Sequence, residues 1–143
     1  MATARISQAT RKEVAQRANF ACEYCQCPEK YIPESFTIDH IMPRKAGGGD
    51  LPDNLAWSCL GCNSHKHTKT TAIDLLTEQE IPLFNPRQQV WTEHFGWSGD
   101  LTKIMGKTPC GRATVETLKL NRIGLINLRE LLRATYKHPA QLG

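Results

Sequence analysis

Cys22-Glu23-Tyr24-Cys25, then Thr37-Ile38-Asp39-His40-Ile41-Met42-Pro43-Arg44, then Asp53-Asn54-Leu55, then Ser58-Cys59-Leu60-Gly61-Cys62-Asn63-Ser64-His65-Lys66: the stretch from Cys22 to Lys66 carries the most informative residues of the chain. Two Cys-x2-Cys knuckles flank an Asp-His pair, and an asparagine follows directly on the last cysteine. Each knuckle can place two thiolates on one tetrahedral ion, and two knuckles complete a four-cysteine site with no open position. Cys22, Cys25, Cys59 and Cys62 therefore suit a structural Zn2+ rather than a catalytic one. A short, loop-rich core that buries little apolar surface needs such a staple. Cys27 offers an alternative ligand in a Cys25-x-Cys27 arrangement, a less usual spacing. Cys110 reads as a small apolar residue in a loop.

Composition sets the bounds around this stretch. A chain of 143 residues makes one compact domain, or a small domain with an appendage. Its 40% hydrophobic and 22% charged residues are ordinary for a soluble globular protein. No apolar run approaches the roughly 18–20 residues that a membrane span needs. Met1 to Arg5 leads into polar residues rather than an apolar signal segment, so a cytoplasmic setting is expected. There, six cysteines serve as thiols or metal ligands more readily than as disulfides. A net charge of +4 is compatible with a polyanionic partner. Basic residues gather at Arg44, Lys45, Lys66 and Lys69, and again at Arg112, Lys119, Arg122, Arg129, Arg133 and Lys137. Scattered charge is ordinarily a solvated surface, and it reads as a binding groove only beside a reactive centre.

Local signals give the order of elements. Thr10-Arg11-Lys12-Glu13 has the form of a capping box and predicts a helix to about Arg17, stopped by Asn19-Phe20. Cys27 to Pro33 reads as an irregular loop. Phe36 to Ile41 is β-prone and broken by Pro43, and Asp53 to Trp57 returns as a second short extended segment after the turn Ala46-Gly47-Gly48-Gly49-Asp50. Cys62 to about Lys69 reads as a short helix. Ala72 to Leu76 reads as a helical turn ending before Pro82. An aromatic-rich middle follows, with Phe84, Trp91, Phe95 and Trp97. Two helices, Thr114 to Leu120 and Leu125 to Tyr136, close the chain, the last with an apolar stripe at Leu125, Leu128, Leu131 and Leu132.

Taken together, Cys-x2-Cys, Asp-His-Ile-x-Pro, a glycine-rich turn, Asp-Asn-Leu and Cys-x2-Cys-Asn-x2-Lys resemble the HNH nucleases, the ββα-metal group, in their four-cysteine zinc form. The resemblance covers about Phe20 to Lys69. Phe84-Asn85-Pro86-Arg87, Trp91, His94-Phe95 and Gly111 to Glu116 also look like a tail that accompanies some bacterial HNH proteins. The fold implied is α+β: a ββα-metal core of short hairpin plus helix, stapled by zinc, with a flanking N-terminal helix and a mainly helical C-terminal extension. The core with its N-terminal helix spans residues 1–71, and residues 72–143 form the extension, packed on the core as one unit.

The activity implied is metal-dependent endonucleolytic hydrolysis of DNA, and the residue types suit it. Such a reaction needs an activated water, charge neutralisation on the phosphoryl oxygens and a stabilised leaving alkoxide. Histidine is the residue type suited to taking a proton from water near neutral pH, which makes His40 the candidate base. Asp39 and Asn63 offer hard oxygen ligands to one divalent ion. The resemblance makes Asn54 the middle residue of the motif, bonding across the hairpin to hold the loop that carries His40. Lys66 lies one turn beyond Asn63 and is expected to face phosphate. His67, four residues after Asn63, is a further candidate ligand, since some family members place a metal-binding histidine there, whereas His65 lies on another face. Asn63 stands where the family's name has histidine, which shifts the preference toward Mg2+ or Mn2+. Arg44, Lys45, Lys66 and Lys69 are candidate nucleic-acid contacts. Arg122, Arg129 and Arg133 either read DNA or belong to a helical hairpin that covers the core. The competing functions are a non-cleaving, zinc-stapled nucleic-acid-binding module or a subunit of a larger nuclease complex, with RNA a further possible substrate.

Overall fold

Ser7, not Thr10, starts the first helix. Its hydroxyl accepts the Thr10 amide at 3.1 Å, so α1 runs Gln8–Arg17 and Thr10 lies inside the first turn. Both Asn19 and Phe20 adopt positive φ, which ends the helix and turns the chain into the first knuckle. The computed structural model describes residues 5–139, so the leader reading of Met1 to Ala4 lies outside the described residues.

The core is a hairpin closed by a helix. Strand β1, Thr37–His40, pairs antiparallel with β2, Leu55–Ser58, in the register Thr37 to Ser58 and His40 to Leu55. All four β2 residues are buried, because α1 covers this strand. Arg17 ties the two together by donating to the carbonyls of Pro52 and Leu55 at 2.9 and 2.6 Å. Helix α2, Leu60–Lys66, packs on β1. It starts two residues before the expected Cys62, because the Cys59 sulfur caps it by accepting the Cys62 amide. Between the strands, Gly48 packs so closely on Met42 that a β-carbon there would meet the Met42 carbonyl oxygen at 1.8 Å, which only glycine allows.

Beyond α2 the chain departs from the expected helical turn. Thr71–Asp74 is strand β3, paired with β4, Gln79–Pro82. Leu75 and Leu76 are exposed at the hairpin tip and supply no buried helical face. The Asp74 carboxylate instead accepts the Thr77 amide and hydroxyl and closes the turn. The aromatic middle forms α3, Trp91–His94, followed by a hairpin of β5, Phe95–Trp97, and β6, Ile104–Gly106. Helix α4 is Pro109–Thr117, earlier than expected because Thr108 caps it and Pro109 occupies its first turn. Cys110 thus lies in a helix rather than a loop. Helix α5 is Ile123–Ala134. The extension therefore holds two hairpins beside its helices, and α4 packs on β3, β4 and β6.

The buried apolar residues form one continuous cluster. It contains Val14, Tyr24, Leu55 and Trp57 of the first half and Phe84, Phe95, Ile104, Leu118 and Leu125 of the second. Among the described residues, no helix is long and apolar enough to cross a membrane.

Candidate active site

Four sulfurs converge between the knuckles. The Sγ atoms of Cys22, Cys25, Cys59 and Cys62 all lie within 4.8 Å of one another, and every one of the four residues is buried. Zinc–thiolate bonds of about 2.3 Å in a tetrahedron require sulfurs about 3.8 Å apart. Cys25 and Cys59 stand at 3.8 Å, so the donor set fits a structural zinc. In each knuckle the second cysteine's amide donates to the first cysteine's sulfur at 3.4 Å. Cys27 is buried nearby but outside the four-sulfur group.

Arg122 completes this centre from the far end of the chain. Its guanidinium donates to Cys59 Sγ at 3.3 Å and to Cys62 Sγ at 3.7 Å. Four thiolates around a divalent zinc carry a net charge of −2, which the guanidinium partly offsets. Gly61 makes the approach possible, because a β-carbon there would sit 2.3 Å from Arg122 Nη2. Of the two readings open for Arg122, this contact favours the helical hairpin that covers the core over DNA contact. Arg122 is half-buried, Arg129 is buried and donates to the carbonyls of Thr102 and Leu120, and Arg133 is exposed.

Neighbouring residues of a strand point to opposite faces, and β1 uses both. Asp39 turns inward at 2% exposure. It accepts the Tyr24 hydroxyl at 2.6 Å and pairs with Lys66 Nζ at 3.1 Å. Burial pushes the Asp39 carboxyl above its ordinary value, while Lys66 and the Tyr24 hydroxyl pull it back. Tyr24 is itself pushed well up by burial and by the Asp39 charge, so it stays a donor. Lys66 is 1% exposed, and its ammonium also bonds the carbonyls of His40 and Ile41 at 3.2 and 3.3 Å. Lys66 was expected to face phosphate; the pull of a buried carboxylate holds it inside instead.

His40 faces the other way and remains partly exposed. Its Nε2 meets Asp50 Oδ1 at 2.8 Å, and Arg44 forks onto the same carboxylate with Nε at 2.9 Å and Nη2 at 3.1 Å. Arg44 first, then His40, holds the Asp50 carboxyl below its ordinary value. An ionised Asp50 can only accept, so Nε2 carries a proton, and in the neutral imidazole Nδ1 is left with its lone pair. Asn54 knits the loop beneath. Its amide nitrogen donates to the carbonyls of Met42 and Gly49 at 2.9 and 2.8 Å, and its oxygen accepts the Met42 amide at 2.8 Å.

Asn63 is half-buried in the middle of α2, about one helical turn before Lys66, so the two share a face. His67 is exposed and has left the helix at a φ of 51°, so helical spacing no longer aligns it with Asn63. Lys45 and Lys69 are exposed, and Lys69 Nζ rests on the His65 carbonyl at 3.4 Å.

Residues 22–69, about a third of the chain, match the family model of HNH endonucleases. This segment is an HNH domain. No curated protein matches the chain.

Three residues, two of them in the HNH domain and one beyond it, had no distinguishing signal in the sequence. Asp50 reads only as the end of a glycine turn, Tyr24 as a spacer between two cysteines, and Arg122 as one of several tail arginines. Each acts through a fold-dependent contact across 10 or more positions. The family's reactive divalent ion can also be tested against the residues present. Asp39 and the carbonyls of His40 and Ile41 surround the Lys66 ammonium, which stands in for a cation among hard oxygens. Such a set suits an oxygen-preferring divalent ion.

Proposed function

We propose that the HNH domain is a metal-dependent endonuclease that hydrolyses phosphodiester bonds in DNA. His40 acts as the general base. The observation that supports this most directly is the Arg44–Asp50–His40 chain, which fixes the imidazole with Nδ1 free to take a proton from water. Asp50 is a positioning residue, and Asn54 holds the loop that carries both. Asp39 and Asn63 would hold Mg2+ or Mn2+, whose chemistry is to neutralise phosphoryl charge and stabilise the leaving 3′ oxygen. Asp39 is available to such an ion only when Lys66 yields its place. Lys45 and Lys69, both exposed, contact the polyanion in this reading.

The test is nicking of supercoiled plasmid with Mg2+ or Mn2+ by the wild-type protein and by His40→Ala. Conversion to the open-circular form by the wild type alone is expected, and equal nicking by both would sink the assignment. A second reading, a zinc-stapled module that holds nucleic acid without cutting, draws on the Lys66–Asp39 pair, in which a lysine already neutralises the ligand carboxylate. Salt-sensitive duplex binding with no product in any divalent metal would favour it.

A further inference from the structure

His40 opens onto a groove that the catalytic motif does not explain. The cavity is about 490 Å³, and Arg5, Gln8, Arg11, Thr37, His40 and Arg44 line it. Two of its three arginines come from before and within α1, outside the matched HNH segment. Among the described residues no carboxylate lines it. Asp50 pairs with both His40 and Arg44 without lining the groove and offsets the charge of Arg44. Arg5 has no ionic partner among the described residues. Arg11 has its guanidinium over the Trp57 ring, 5.9 Å from the centroid, a contact that orients the side chain without neutralising it. The groove therefore brings three arginines and one histidine to a single lining. Helix α1 buries only Val14 and Ala15, so most of its surface is open to solvent.

We propose that α1 and the residues leading into it form one wall of the nucleic-acid groove, with Arg5 and Arg11 contacting the phosphate backbone of duplex DNA beside His40. A guanidinium is suited to this because it matches phosphate geometry and stays charged at any working pH. The contacts read no bases: they set the position of the strand against Nδ1 of His40 and contribute affinity through counterion release. This rests on the nuclease reading for the identity of the polyanion, but not on the cut being made.

Binding and cutting are therefore measured separately. Fluorescence anisotropy with a labelled duplex is run over a salt series in the His40→Ala background, with Arg5→Gln and Arg11→Gln added together. The slope of log K against log salt is expected to shrink by about 0.9 per lost phosphate contact, or about 1.8 for the pair. A control carrying Lys12→Gln and Lys103→Gln removes the same charge from exposed positions that do not line the groove and is expected to leave the slope nearly unchanged. In the otherwise wild-type enzyme, the Arg5 and Arg11 changes are expected to raise KM. A slope equal to that of the control, or a His40→Ala parent that binds no duplex, overturns the proposal. If the wild type cuts and the arginine variants bind as the control does, only the groove assignment falls. If the slope shrinks as expected and no protein cuts, the groove stands and the nuclease reading falls.

Discussion

At the scale of single residues, the site depends on two carboxylates that do different work. Asp50 receives a proton-bearing Nε2 and so leaves Nδ1 of His40 as the acceptor. Asp50→Asn keeps the size but offers an amide whose NH2 can donate to Nε2, which favours the tautomer with the proton on Nδ1. Cleavage should then fall by on the order of 10²-fold in kcat, the lower range of general-base contributions, with KM little changed. Nitrogen-15 spectra of His40 should show the tautomer exchange, and Asp50→Glu should restore part of the rate. A variant that lost activity through KM alone would show that Asp50 serves binding rather than orientation. Asp39 is the opposite case, a buried charge already paired. Lys66→Met leaves that carboxylate with only the Tyr24 hydroxyl, and breaking a buried pair typically costs about 3–5 kcal/mol. Urea unfolding at pH 7 should register a loss of that order. Mn2+ should stabilise the variant more than the wild type, because the ion no longer displaces an ammonium. Equal stabilisation of both would show that Lys66 and the ion do not share Asp39.

At the scale of elements, patterns carried by backbone chemistry could be read in the sequence, and patterns carried by distant partners could not. Pro43 and the glycine turn bounded β1, and the knuckle spacing anticipated the sulfur cluster. The segment Ala72 to Leu76 looked helical because nothing local marks Gln79–Pro82 as its partner strand. What fixes that strand is Arg112, on α4, whose Nε and Nη2 each donate to Asp74 at 3.0 Å. Arg112 first, then Thr77, holds the Asp74 carboxyl well below its ordinary value. A depressed carboxyl contributes stability that is present above its unfolded value of about 3.9 and is lost as pH falls through the folded one. Wild-type protein should therefore lose stability progressively below about pH 4. Asp74→Asn should be less stable at neutral pH, with the gap between the two closing as the medium is acidified. Urea midpoints measured from pH 7 downward check this, and a gap that widened in acid would mean that Asp74 is not the group responsible.

At the scale of the whole molecule, the four-cysteine centre connects the two halves that the sequence presents as core and extension. The thiolates belong to the HNH domain, yet Arg122 at the start of α5 donates to two of them, and the buried apolar cluster crosses from one half to the other. The tail arginines could not be sorted from sequence into surface and interior, because burial at Arg122 and Arg129 is set by carbonyls and sulfurs far away in the chain. If the halves share one core, zinc removal must unfold both. Structural zinc contributes about 10–16 kcal/mol in small metal-stapled folds, as much as the whole stability of a typical domain. Single-tryptophan variants that retain either Trp57 in the core or Trp97 in the extension allow each half to be followed during titration with a chelator. The two signals should move together. Arg122→Ala should hasten zinc loss and weaken retention by about 10–100-fold, the range for removing a group that supports metal ligands, and should bring both transitions to lower chelator concentration in parallel. A Trp97 signal that stayed native after Trp57 had melted would show instead that the extension folds alone, with Arg122 serving only the metal.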